Sequence, residues 1–189
     1  MNSTPVSNAL ALRATASAFD AQRGKLPVPG DPHRSPDSVA VARQISELGE
    51  LITGLGDEVL FRAADQDREV HTARVVTSFS AAVGPVGEAA SALGAVAHQL
   101  FFLEQTEHLR DARDAREAAT RVIDDALGMA DTALREAADS LHAASAALSP
   151  PSLRFHAARS RSTTAAPVAA PPPAGAPAAA APDRIARSR

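Results

Sequence analysis

The large apolar residues Val41, Ile45, Leu48, Ile52, Leu55 and Val59 recur at spacings of 4, 3, 4, 3 and 4. A period of 3.5 marks a helix that lays one narrow seam against another helix. After Ala63 to Glu69, a polar stretch without Gly or Pro, Val76 and Val83 return in the same phase, and the sequence predicts one unbroken helix from about residue 38 to 83. Ser35-Pro36-Asp37-Ser38 supplies its start, with Asp37 or Ser38 able to accept from the free N–H groups of the first turn.

Gly84-Pro85-Val86-Gly87 predicts a kink or reversal, because proline removes a donor and clashes with the preceding turn. Beyond it Val86, Ala90, Leu93, Ala97 and Leu100 form a second seam. A third runs through Ile123, Leu127, Ala130, Leu134, Ala137, Leu141, Ala144 and Leu148, with Leu at every seventh position from 127. Extended backwards, it reaches Leu109 and Phe102, two residues out of frame with Leu100 and therefore on nearly the opposite helix face. Either the chain turns near residues 101 to 110, or one long helix uses different faces. The lack of Gly or Pro between Ala95 and Leu127 favours the continuous helix. Ser149-Pro150-Pro151 ends it.

The flanks differ in kind. Residues 7 to 23 have Ala-rich helical composition, with Leu10, Ala14, Ser17 and Ala21 on one stripe, and predict a short, weakly held helix. Gly24 to Pro36 carries five Pro and Gly residues beyond Gly24 itself and is expected to be a linker. Residues 150 to 189 hold eight Pro, 13 Ala and only four large apolar residues, too few to offset ordering entropy. The expected organisation is a mobile N-terminal segment (1–35), a helical coiled-coil body (36–149) and a disordered tail (150–189). The fold class is all-α, a long coiled-coil-like helical hairpin or three-helix bundle with a disordered C-terminal tail.

Composition narrows the chemistry. Apolar residues make up 45% of the 189, but 44 of them are Ala, and Trp, Tyr and Cys are absent. Disulfides, thiolate metal sites and cysteine nucleophiles are excluded. No run of large apolar residues approaches the roughly 20 a spanning helix needs, and no basic residue precedes the short apolar stretch at Asn8 to Leu12, so neither a membrane span nor a signal peptide is expected. A cytoplasmic location is the corresponding expectation. Charge is divided unevenly: residues 36 to 149 carry 19 acids and 9 bases, whereas the tail carries six Arg against Asp183.

Three groups of residues bear on function. Glu104, Glu107, His108 and Asp111 share one helical face, and Asp139 with His142 forms an Asp-x-x-His pair. Neither matches the paired Glu-x-x-His pattern of bundle metal sites, and pairs such as Arg113 to Glu117 and Glu117 to Arg121 mark the region as a solvated face. No phosphate loop, dinucleotide fingerprint or nucleophile elbow is present in the sequence, and no cofactor or metal is expected. Leu100, Phe101, Phe102 and Leu103 surround a helix on all sides and form either a doubly packed junction or a docking patch. Arg154, Arg159 and Arg161 head the basic tail and are the remaining partner-binding candidates.

These features lead to a non-enzymatic helical interaction module that associates with itself or with another helical protein. A nucleic-acid-associated protein using its basic tail is the alternative, and a metal-dependent bundle enzyme on Glu104, Glu107, His108, Asp139 and His142 is the weaker one. The nucleic-acid reading requires that deleting residues 150 to 189 abolish retention on a DNA column at low salt; retention that survives the deletion removes it.

Overall fold

In a computed structural model of the chain, residues 5–28, 31, 34–64 and 70–149 are described. They form α1 (Pro5–Gly24), α2 (Ser38–Ala63), α3 (Val70–Thr106) and, after a 3₁₀ turn at Arg110–Ala112, α4 (Arg113–Leu148). Among the described residues there is no strand, and the helices pack as a bundle. The all-α class follows the seams, but the bundle has four members because α1 joins it. The tail lies outside the described residues.

Local sequence sets the start of α2 and the packed faces of α2 and α4. Asp37, extended at φ −128° and ψ 133°, caps α2 by accepting from the Ala40 N–H at 2.7 Å. On α2, Val41, Leu48 and Leu55 are buried while Ile45, Ile52 and Val59 flank them half-buried against the core. On α4 the seam holds from Ile123 to Leu141, all of it buried, with Ala144 and Leu148 partly so. The matching stripe on α3 is Val75, Phe79, Ala82, Val86, Ala89, Leu93 and Val96, every one buried. Here α3 packs on α2 and α4, and α1 packs mainly on α4. Ser145 Oγ donates to the Ala9 carbonyl at 2.7 Å and Arg23 pairs with Asp131 at 3.1 Å, so α1 runs antiparallel to α4.

The path of the chain departs from the sequence expectation at three places. The helix predicted over 38–83 is divided, with α2 ending at Ala63 and α3 beginning at Val70. The in-phase positions Val76 and Val83 are half-buried and exposed on α3, whose buried stripe lies one residue earlier through Val75, Phe79 and Ala82, so the preserved phase did not mark one continuous seam. At Gly84-Pro85 the opposite happens, and α3 continues through Pro85. The carbonyl freed four residues earlier belongs to Ala81 on the exposed face, where water can satisfy it. Finally, the chain turns after Thr106, with Leu109 extended and its N–H bonded to the Thr106 carbonyl at 3.1 Å. That turn lets two seams on nearly opposite faces of one hypothetical rod meet in a single core.

In α1 the buried stripe is Ala9, Leu12, Ala16 and Phe19, with Leu12, Ala16 and Phe19 fully enclosed. The stripe predicted from Leu10, Ala14, Ser17 and Ala21 is the exposed one, and Leu10 is 59% exposed. Phe19 and Leu12 bring far more apolar area than Ala or Ser, and burial follows area rather than count. At its C-terminal end α1 is tied to α2: Gln22 Nε2 donates to Glu47 at 2.8 Å, Lys25 Nζ donates to the same oxygen, and Gln44 Nε2 donates to the Gln22 carbonyl at 2.8 Å.

Although no long run of large apolar residues exists, Thr72–Thr106 of α3 is long and apolar enough to cross a membrane by length and composition, with a mean hydropathy of 1.3 over an 18-residue stretch. It qualifies through sparse charge and abundant Ala and Val, not through an unbroken aliphatic run.

Phe19→Ala should cost about 3 to 5 kcal/mol in urea unfolding, whereas Leu10→Ala should change stability by less than about 0.5 kcal/mol. Equal effects would show that α1 is not packed through this face. The Lys25 and Gln22 donors hold the Glu47 carboxyl below its ordinary value of 4.5. A lowered carboxyl stabilises the fold above the unfolded value and loses that contribution as pH falls through the folded one. Glu47→Gln is therefore less stable than the parent near neutrality, and the two unfolding midpoints converge as pH drops below 4.5.

Candidate interaction surfaces

Leu100 to Leu103 occupy the last turns of α3 and divide as their positions on the helix require. Leu100 and Leu103 are half-buried and pack against the core, Phe102 is half-buried, and Phe101 is 58% exposed. The segment is thus part core junction and part exposed aromatic surface. Arg154, Arg159 and Arg161 lie outside the described residues.

The carboxylate and histidine groups do not converge. Glu104 is near the end of α3, Glu107 and His108 lie in the following turn, and all three are exposed with Asp111. Asp139 and His142 stand about 40 Å farther along α4, where His142 Nε2 lies 3.0 Å from Asp20 of α1. Among the described residues no three His, Asp or Glu side chains are placed to share a metal ion. Arg113 pairs with Glu117 at 3.0 Å, but Arg121 turns to the Glu117 carbonyl at 3.4 Å instead of its carboxylate.

One charged residue is drawn inside. Arg62 continues the α2 seam; its side chain is 7% exposed, it pairs with Glu58, and its guanidinium sits 5.1 Å from the centre of the Phe79 ring. Burial pushes its pKa down. The sequence places Arg62 on the seam but offers no sign that a ring on α3 would receive it. Asn8, also buried, has neither amide atom bonded to a described group.

Among the described residues, clefts open on the surface at two places that bear on function. One, of about 590 Å³, lies where α1, the connection after it and α4 meet, and several of its charged residues are engaged locally. There Arg23 pairs with Asp131, and Arg34 donates to the Gly24 and Leu26 carbonyls. The other, about 450 Å³, is a mainly apolar groove between the start of α3 and the end of α4, including Thr77, Ser78, Ala144 and Leu148. Neither lining contains a histidine or pairs a nucleophile with a base.

The outward face of α3 is unlike those of its neighbours. From Thr77 to Phe102, about 40 Å of helix, Glu88 is the one Asp, Glu, Lys or Arg. The exposed residues there are chiefly Ser80, Ala81, Gly84, Ser91, Gly94 and Ala95. By contrast, α4 exposes Asp114, Glu117, Arg121, Asp125, Arg135 and Glu136. Each glycine inside a helix costs about 1 kcal/mol against alanine. A methyl group placed on Gly84, Gly87 or Gly94 would meet no atom within 4 Å, so packing inside this chain does not call for them.

Compared with protein-family models, with curated protein sequences and with solved structures, the chain matches none.

Proposed function

We propose that this chain is a non-enzymatic helical assembly module that associates with copies of itself. The observation that carries the reading is the outward face of α3, where several turns of small, mostly uncharged residues face solvent beside the exposed ring of Phe101. A solvent-facing helix ordinarily carries alternating charges, and long uncharged surface on a soluble bundle serves binding. The large side chains left outside the core support the same conclusion: Leu60 and Phe61, 69% and 71% exposed, end α2 as Phe101 ends α3. The clefts offer an Arg23–Asp131 pair and apolar lining, consistent with an interaction surface and not a reaction centre.

Light scattering of the purified full chain at micromolar concentration should give a mass of two copies or more that falls on dilution. A compact single-copy mass across that range overturns the reading.

A further inference from the structure

The outward face of α3 has a register of its own. Thr77, Ala81, Gly84, Glu88, Ser91, Ala95, His98 and Phe102 follow spacings of 4, 3, 4, 3, 4, 3 and 4. This is a second 3.5-residue seam, on the side away from the core, with every member exposed except the half-buried Phe102. Resting on the self-association proposed above, we infer that the occupant of this face is α3 of a second copy, packed antiparallel about a two-fold axis that falls between Ser91 and Ala95.

The placement of one carboxylate, one imidazole and one large ring selects that partner and that direction. In the antiparallel register Ser91 meets Ala95 of the second copy, Glu88 meets its His98, and Gly84 meets its Phe102. The single carboxylate of the face thus lies opposite the single imidazole, and the largest side chain lies opposite a position with none. A parallel pair in register would set Glu88 against Glu88 and ring against ring, while Gly84 faced Gly84 across an unfilled gap. The face supplies both halves of each match, which is what a two-fold contact between identical chains requires. Small side chains in the middle layers let the two helix axes approach closely.

The test is sedimentation equilibrium of the full chain and four variants, with thermal unfolding of each. Gly84→Leu fills the gap that Phe102 of the second copy enters, and should weaken association by roughly 30-fold or more, as expected where a bulky side chain blocks the seat of an anchoring ring. Its unfolding temperature should stay level or rise when measured at concentrations where both proteins are single copies, because leucine suits an exposed helix position better than glycine. Glu88→Arg and His98→Glu should each dissociate the pair, and the two together should restore it. If the parent associates but these variants leave its mass unchanged, this register is overturned while self-association stands. A parent of single-copy mass overturns both. Binding of the single-copy protein to phosphatidylcholine vesicles that Gly84→Leu abolishes would assign the face to lipid and also overturn the inference.

Discussion

The bundle depends on the alternation of leucine and alanine along α4. Leu127, Leu134 and Leu141 supply apolar area, and Ala130 and Ala137 between them keep the ridge shallow, so that neighbouring helices can approach it closely. Both α3 and α1 lie against this helix, and α2 reaches the core through α3. Because α4 carries charge on its outward face and aliphatics on its inward one, it can be buried on only one side. That constraint fixes which faces of α1 and α3 turn inward, and so which surfaces the molecule presents.

Polar groups within the bundle and at its edge refine this arrangement at its two ends. Gln22, Gln44, Lys25 and Glu47 join α1 to α2 at one end. At the other, Arg62 keeps its stem among apolar neighbours and its head on Glu58 and the Phe79 ring, while Ser145 closes onto the Ala9 carbonyl. A buried cation with an acid and a ring beside it is retained more readily than an isolated one, which would face the full cost of leaving water. These contacts specify how the helices sit against each other; most of the burial belongs to the aliphatic stripes.

The outward surfaces separate by chemistry in the same way. The exposed side of α4 is dense in carboxylates and arginines, as suits permanent contact with water, and the exposed side of α3 is nearly bare of charge. Leu100 to Leu103 were legible as an unusual cluster, but only their position at the end of α3 separates Phe101 in solvent from Leu100 and Leu103 in the core. The seam from Thr77 to Phe102 is written in the sequence too, yet its members are small and polar, and a search for periodic large apolar residues passes over them.

The residue pattern alone determined the helical class, the α2 and α4 seams and the Asp37 cap, because each depends on neighbours within a few turns of one helix. Tertiary packing decided where the chain reverses. The residues between α2 and α3 and those at 107–109 include neither Gly nor Pro, while Pro85 is carried through a helix. Burying two seams in a common core gains more than an unbroken ladder of local hydrogen bonds, and that gain exists only once the partner helices are present. The same holds for α1, where Phe19 and not the more numerous alanines chose the inward face, and for α3, whose bare outer side became a surface only when its aliphatic side was covered.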